Sequence, residues 1–148
     1  MLPIEFARGC IFKCAFCAFP LNGKAKNDYI RPEDQLIADI TEYQTKYKSY
    51  NYLLMDDTFN DTEEKLDIMV DLVKSLPFQP KFWAYARLDL LSKHPRTIQK
   101  LYDIGLRSLF FGIETLNKKS GRIIGKGYDP EEQVKTINYI RDTYGDDI

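Results

Sequence analysis

All three cysteines of this 148-residue chain fall within the eight-residue segment "CIFKCAFC". Cys10 and Cys14 are separated by three residues, and Cys14 and Cys17 by two. A loop with this spacing can offer three thiolates to three corners of a cubane iron–sulfur cluster and leave the fourth iron without a protein ligand. An open iron can accept a small molecule, which the irons of a fully ligated electron-transfer cluster cannot. The spacing therefore favours a cluster that takes part in chemistry.

Two other uses of these thiols stay open on the residues alone. A structural zinc ion prefers four protein ligands, usually supplied as two separated pairs. His94, the single histidine of the chain, is distant in sequence from the cysteines. A redox role for free thiols is also compatible with the segment. A disulfide framework is excluded, because it requires cysteine pairs that are far apart in the chain.

The composition is that of one folded domain spanning residues 1–148. Hydrophobic residues make up 44% and charged residues 29% of the chain, as in a folded globular protein. A chain of 148 residues is long enough to bury a substantial core. The net charge of −1 gives no reason to expect nucleic acid or an anionic membrane as a partner. The chain has no apolar stretch of membrane-spanning length and no signal-peptide pattern. Clustered thiols without an export signal predict a cytoplasmic protein.

Short apolar runs alternate with amphipathic runs along the whole chain. The predicted strands are "LPIEFARG", "YNYLLMDD", "FWAYARLDLL" and "RSLFFGIET". The predicted helices are "RPEDQLIADITEYQTKY", "DTEEKLDIMVDLVKSL", "PRTIQKLYDIG" and "DPEEQVKTINYIRDTYG". Pro32 is predicted to open the first helix, and Asp61 and Asp129 to cap the second and fourth. Four β-then-α units predict an α/β fold with parallel strands.

Polar residues follow each predicted strand. The four strand ends read "RGC", "MDDTFN", "ARLD" and "FGIET". In parallel α/β architectures, ligands bind at the C-terminal ends of the strands, on the loops that lead into the helices. We therefore expect the functional site where these four segments meet.

The cysteine segment resembles the C-x3-C-x-aromatic-C signature of the radical SAM superfamily, with Phe16 in the aromatic position. "ARGCIFKCAFC" is similar to the S-R-G-C-P-x-x-C-x-F-C variant of cobalamin-associated and methylthiotransferase-like members, with Ala7 and Ile11 in place of its Ser and Pro. The resemblance continues through "RPED", "DDTF", "ARLDLL", "FGIET" and "GKG", and so covers nearly the whole chain.

This resemblance implies a [4Fe–4S] cluster on Cys10, Cys14 and Cys17. It further implies that S-adenosylmethionine (SAM) chelates the open iron through its amino and carboxylate groups. An external electron donor of the flavodoxin or ferredoxin type would reduce the cluster. SAM would then be cleaved to methionine and a 5′-deoxyadenosyl radical that abstracts hydrogen from a substrate. The part left to the protein is to position this cofactor chemistry and to keep water away.

The resemblance also implies cofactor contacts for six residues: Phe16, Asp56, Asp57, Arg87, Gly112 and Glu114. Asp56 or Asp57 would bind the SAM ammonium, since a carboxylate suits a cationic amine in a partly dry pocket. Glu114 would contact the ribose or the methionyl part, with Gly112 leaving room beside it. The alternative for these acids is a solvated or helix-capping role without a ligand.

Arg87 and three further residues near the strand ends have two interpretations each. Arg87, on the same strand face as Asp89, would meet the SAM carboxylate or simply pair with neighbouring side chains. Lys126 would reach the cofactor carboxylate or remain a solvated loop lysine, and we expect the solvated lysine. Trp83 and Tyr85 would form a stacking platform or lie in the core, and we expect them in the core.

The resemblance implies a fold as well. Radical SAM cores form a partial parallel (β/α) barrel of six units, of which this chain has about four. The glycine-rich fifth strand of the family is missing from the sequence. We therefore expect another segment or a partner chain to complete the barrel. A non-catalytic cluster-binding module and a zinc-stabilised interaction domain remain as alternatives to an enzyme. The substrate is not indicated by any residue.

Overall fold

Four parallel strands form one sheet in a computed structural model that describes residues 1–19, 21–25, 28–126, 129–145 and 148. Their order in the sheet follows the chain, β1-β2-β3-β4, and every neighbouring pair is parallel. The strands span Leu2–Ile4 (β1), Asn51–Leu54 (β2), Lys81–Ala86 (β3) and Leu106–Phe111 (β4). Helices connect successive strands, so the predicted α/β fold with about four β/α units of a partial barrel is confirmed.

Six helices lie in the described part of the chain. They span Glu33–Tyr47 (α1), Glu63–Ser75 (α2), Leu88–Lys93 (α3), Arg96–Asp103 (α4), Lys118–Ile123 (α5) and Pro130–Tyr144 (α6). The four predicted helices correspond to α1, α2, α4 and α6, while the short helices α3 and α5 were not predicted. None of the described helices is long and apolar enough to cross a membrane.

The helix starts agree with the sequence in one case and differ in two. Asp129 caps α6 as predicted, because its carboxylate accepts a hydrogen bond from the Glu131 amide at 3.1 Å. Pro32 stands one position before the first helical residue instead of opening α1. The N-cap of α2 is Thr62 and not Asp61, since the Thr62 hydroxyl accepts the Lys65 amide at 3.1 Å.

The predicted third strand ends earlier than its apolar run. "FWAYARLDLL" is a strand only to Ala86, and α3 begins at Leu88. Asn60 explains the change: its side-chain oxygen accepts the Arg87 amide at 2.8 Å and its side-chain nitrogen donates to the Arg87 carbonyl at 3.0 Å. Both backbone groups of Arg87 are thus bonded to one side chain from the segment that follows β2, and not to a further strand residue. Leu88 and Leu91 then turn into the core on helical spacing.

The core lies between one face of the sheet and the helices. Strand residues such as Tyr52, Leu54 and Phe82 face it and are almost fully buried. The opposite face is more open, since Met55 and Tyr85 are about half exposed. The expectation that Tyr85 lies in the core was therefore wrong. In a barrel the helices cover only the outer face of the sheet, so the inner face of a partial barrel can remain open.

Candidate functional site

A cavity of about 220 Å³ opens at the C-terminal ends of the strands, where the sequence predicted a site. It is lined by the three cysteines and by residues of all four strand ends. Eight of the nine predicted site residues line it: Cys10, Cys14, Cys17, Phe16, Asp57, Arg87, Gly112 and Glu114. Asp56 is the exception. A larger groove of about 470 Å³ lies between α2 and α4, and it contains none of the cysteines.

The cysteine loop folds back on the segment that follows it. The Cys10 amide donates to the Leu21 carbonyl at 3.2 Å, and the Cys10 carbonyl accepts the Lys24 amide at 3.0 Å. Gly9 enters the loop at a φ of +124°, and a Cβ there would lie 2.7 Å from the Leu21 carbonyl oxygen. Only glycine fits this turn without a shift of the backbone. The turn at Gly9 thus depends on glycine, and the loop that follows it carries the three cysteines that line the cavity.

The three thiols share the cavity but differ in exposure. Cys10 is buried, Cys14 is intermediate and Cys17 is exposed, and all three are free. The Cys10 thiol donates to the Thr58 hydroxyl at 3.4 Å, and burial raises the pKa of Cys10 above its ordinary value. Across the described ranges, no three Cys, His, Asp or Glu side chains already converge on one point as a metal site would require. Three thiols in one cavity nevertheless form the all-sulfur donor set that iron–sulfur clusters use.

His94 does not complete a zinc site with the cysteines. Its Nδ1 lies 3.5 Å from the Glu63 carboxylate, in the charged groove between α2 and α4. The cysteine cavity has no histidine among its lining residues. The residues present thus fit a three-thiolate cluster better than the four-ligand arrangement that structural zinc prefers.

Asp56 serves the protein interior instead of the cavity. Its carboxylate is 1% exposed and accepts the Phe6 amide at 2.8 Å and the Ala7 amide at 3.1 Å. The Lys65 ammonium lies 2.8 Å away, and this lysine is itself fully buried. Both carboxylate oxygens are therefore occupied. The expectation that Asp56 contacts SAM is not supported, because the side chain holds the backbone between β1 and the cysteine loop at Phe6 and Ala7.

Asp61 belongs to the same buried cluster. Its Oδ2 accepts the Tyr29 hydroxyl at 2.7 Å, and its Oδ1 lies 3.4 Å from the Lys65 ammonium. The Lys65 ammonium also donates to the Thr58 carbonyl at 2.9 Å. The Thr58 hydroxyl in turn accepts a hydrogen bond from the Cys10 thiol, so Thr58 connects the buried cluster to the cysteine loop.

Asp57 is the acid of the pair that faces the cavity. Its side chain is exposed and lines the cavity beside the cysteines. Partial burial and the nearby Asp56 and Glu5 carboxylates raise the pKa of Asp57 above its usual value. A cationic ligand beside Asp57 would offset the repulsion from the Asp56 and Glu5 carboxylates and so favour the ionised form.

Glu114 and Lys126 face each other across the mouth of the cavity. The Lys126 ammonium donates to the Gly112 carbonyl at 2.8 Å and lies 3.9 Å from the Glu114 carboxylate. It also lies 5.7 Å from the centre of the Phe16 ring. Lys126 is 9% exposed, so the expectation of a solvated lysine was wrong. A Cβ on Gly112 would sit 2.7 Å from the Glu114 carboxylate, at the flexible end of that side chain, so the glycine leaves room beside Glu114 as expected.

Arg87 is buried in the wall of the cavity. It forms a two-pronged pair with Asp89, from Nε to Oδ1 at 2.9 Å and from Nη2 to Oδ2 at 2.8 Å. Its Nη1 donates to the Cys14 sulfur at 3.3 Å. Burial alone would lower the pKa of Arg87, but Asp89 and Cys14 together raise it. The sequence left two roles open for this arginine, and the structure shows the pairing role.

Several residues of the site were missed in the sequence. Lys65 follows Asp61 by four residues, a spacing that indicates an ion pair on a helix, but nothing marks it as buried. The Phe12 ring lies over Arg87, with 3.9 Å between the ring centre and the guanidinium carbon. The two residues are 75 positions apart, so the sequence did not indicate this contact. Asn60 acts through its side-chain amide in a loop, where asparagine is common for many reasons.

The sequence of the chain matches a known protein family. The profile described as the Radical SAM superfamily matches residues 4–147. The chain is 26% identical to bacteriochlorophyllide d C-8(2)-methyltransferase of Chlorobaculum tepidum, over 95% of this chain and 32% of the relative. It is 24% identical to hopanoid C-2 methylase of Rhodopseudomonas palustris, over 91% of this chain and 27% of that protein. The chain thus spans about a third or less of the length of these curated relatives.

A solved structure shares the fold. The cobalamin-dependent S-adenosylmethionine radical enzyme OxsB, solved with aqua-cobalamin and S-adenosylmethionine bound, superposes with a TM-score of 0.71. The match covers 91% of this chain and 21% of that one, at 18% identity. The likeness is one of fold, and it agrees with the four parallel β/α units described above.

Proposed function

Because the chain belongs to the radical SAM superfamily, we propose that it is the cofactor-binding part of a radical enzyme. Cys10, Cys14 and Cys17 would hold a [4Fe–4S] cluster, and SAM would occupy the adjoining space of the cavity. The observation that supports this most is that three free thiols and three strand-end side chains, Asp57, Arg87 and Glu114, line one cavity. A reduced cluster supplies the electron that cleaves SAM to methionine and a 5′-deoxyadenosyl radical.

The residues of this chain would bind and orient SAM and exclude water. Asp57 is exposed in the cavity with a raised pKa, and it is the acid suited to the SAM ammonium. Glu114 lies across the cavity mouth beside Lys126, where a ribose or methionyl group would meet both charges. The rings of Phe16 and Phe110, each about half exposed, provide apolar surface that limits water near a radical.

The proposal includes partners and a location. The electron would come from an external donor of the flavodoxin or ferredoxin type, in the cytoplasm, where thiols remain reduced. Met55, Tyr85 and Phe110 leave apolar area on the open face of the sheet. Further strands, from another segment or a partner chain, would cover this area and complete the barrel around the substrate.

Methyl transfer is a narrower candidate for the reaction. The two named relatives are a methyltransferase and a methylase, and the matched solved structure is a cobalamin-dependent enzyme. These names support a methyl-transfer reaction with cobalamin as an additional cofactor. The test is methylation of an added acceptor from labelled SAM with and without cobalamin, in protein that contains this chain.

Anaerobic reconstitution tests the main proposal. We expect about four irons and four sulfides per chain, as a [4Fe–4S] cluster requires. Cys10→Ala, Cys14→Ala or Cys17→Ala should each abolish or severely reduce this content. SAM should change the electron paramagnetic resonance spectrum of the reduced cluster, and Asp57→Ala should weaken that effect without loss of iron.

The same measurements separate the alternatives. Stoichiometric zinc without sulfide, in protein purified without added metal, would identify a zinc-stabilised domain. A full cluster whose spectrum does not respond to SAM would identify a non-catalytic module. Formation of 5′-deoxyadenosine with a strong reductant, absent in a variant that lacks all three cysteines, would identify the radical enzyme.

A further inference from the structure

The guanidinium of Arg87 makes most of its contacts with other groups of this chain. Besides its two bonds to Asp89, Nη2 donates to the Gly125 carbonyl at 3.3 Å and Nη1 donates to the Cys14 sulfur at 3.3 Å. The guanidinium carbon lies 3.9 Å from the centre of the Phe12 ring, and the residue is 6% exposed. Four of its five N–H groups are thus directed to acceptors of this chain.

This arrangement is unsuited to gripping a ligand carboxylate. A two-pronged arginine–carboxylate pair needs two parallel N–H groups, and Asp89 already takes them from Nε and Nη2. The N–H group left by these contacts is on Nη1, next to the bond to Cys14. To bind the SAM carboxylate in the same way, Arg87 would have to abandon Asp89, which is itself 5% exposed. An unpaired buried carboxylate is strongly unfavourable.

We propose, on the basis of the cluster function above, that Arg87 is a fixed hydrogen-bond donor to the Cys14 sulfur and raises the reduction potential of the cluster. Hydrogen bonds to ligand sulfur stabilise the more negative, reduced state, and such bonds are one of the means by which proteins set cluster potentials. Asp89 is the positioning residue. It fixes the plane of the guanidinium, so that Nη1 points at Cys14 and at neither Cys10 nor Cys17.

A purely structural role for Arg87 is the rival explanation. The side chain joins the end of β3, the cysteine loop through Phe12, and the turn at Gly125. Loss of such a tie would lower stability without changing the potential of a cluster that still forms. The reduction potential therefore distinguishes the two roles.

The test is an anaerobic redox titration followed by electron paramagnetic resonance. The main variant is the double substitution Arg87→Met with Asp89→Asn, which removes the pair together, leaves the net charge unchanged and strands no buried ion. Its matched control is Arg96→Met with Glu63→Gln, which removes an exposed pair at 2.9 Å outside the cavity. Arg87→Lys keeps the charge but cannot reach all the acceptors of the guanidinium fork.

We expect the double variant to bind a full cluster at a lower potential. At a fixed potential its ratio of reduced to oxidised cluster should fall about tenfold, which corresponds to 59 mV for one electron. Arg87→Lys should shift in the same direction by less, and the control pair should titrate like the wild type.

Three results would overturn the inference. The first is a fully loaded double variant with the wild-type potential, including the case in which only its SAM affinity falls. The second, if the double variant does not load, is an Arg87→Lys protein that loads and titrates like the wild type. The third is failure of both variants to load while circular dichroism shows them folded, which would assign Arg87 to loop assembly. Absence of sulfide in the wild-type protein would instead remove the proposed function itself.

Discussion

The Lys65 ammonium lies 2.8 Å from the Asp56 carboxylate, and both side chains are fully shielded from solvent. Asp61 lies 3.4 Å from the same ammonium. Two acids and one lysine thus form a buried ionic cluster that is connected to Cys10 through Thr58. Buried ion pairs add little net stability over an apolar core, but removal of one partner leaves an uncompensated charge. This cluster is therefore a sensitive point of the fold.

Lys65→Met should destabilise the protein strongly. We expect the free energy of unfolding to fall by about 3–5 kcal/mol, the usual effect of breaking a buried ion pair. Iron loading should fall as well, since Lys65 also bonds Thr58, the partner of Cys10. The measurement is urea unfolding of the unloaded protein. Lys74→Met is the matched control on the same helix: its exposed pair with Asp71 at 3.8 Å should be worth less than about 1 kcal/mol. Equal effects of the two substitutions would contradict the buried role.

Asp57→Asn should stabilise the unloaded protein in a pH-dependent way. Because the folded-state pKa of Asp57 is raised, its ionisation costs more in the folded than in the unfolded state. Wild-type stability is therefore lost as the pH rises from the ordinary aspartate pKa through the raised one. The amide does not ionise, so the variant should melt higher than the wild type at neutral pH and converge with it in acid.

Melting temperatures measured from acid to neutral pH test this prediction. Asp71→Asn, at an exposed position on α2, is the control and should show no such divergence. The same Asp57→Asn protein should bind SAM more weakly once the cluster is loaded. A variant that gains no stability at neutral pH would show that Asp57 is not strained by its neighbours.

Glu114→Gly should make the protein more stable and weaken its binding of SAM. Glu114 has a φ of +62°, in the left-handed region that side chains rarely adopt. Relief of that conformation should add about 1 kcal/mol to the free energy of unfolding, less whatever the 3.9 Å pair with Lys126 contributes. Loss of the carboxylate should weaken SAM binding. Lys48→Gly, at a φ of +52° at the end of α1, is the control: it should stabilise without changing SAM binding. Unchanged SAM affinity in both variants would remove Glu114 from the site.

The fold was predictable because it depends on regular patterns. Helical spacing in α1, α2 and α6 and apolar runs in the strands identified the β/α order, and parallel strands bring their C-terminal ends to one edge. The same rule predicted from the sequence that Cys10, Asp57 and Glu114 would line one site. Errors arose where a single side chain overrides the pattern, as at the end of β3.

The partners of individual charges were not predictable from the sequence. Asp56 and Asp57 are adjacent, yet one is buried against Lys65 and the other lines the cavity, since successive residues of an extended segment point to opposite sides. Which of the two faces inward depends on the register of β2 beside β1. Lys126 likewise reads as a surface residue until the Gly112 carbonyl and the Phe16 ring are seen around it.

The two hydrogen bonds between the Asn60 side chain and the Arg87 backbone restrict which residue can occupy position 60. A side-chain carboxamide presents one donor and one acceptor, as a peptide group does, so Asn60 stands in for the next residue of a neighbouring strand. Aspartate has the shape but lacks the donor, and leucine has the volume but lacks both. Substitution at position 60 is thus limited by the need for both a hydrogen-bond donor and an acceptor, and not by the size of the side chain. The backbone of an arginine 27 residues away is held in place by that one amide.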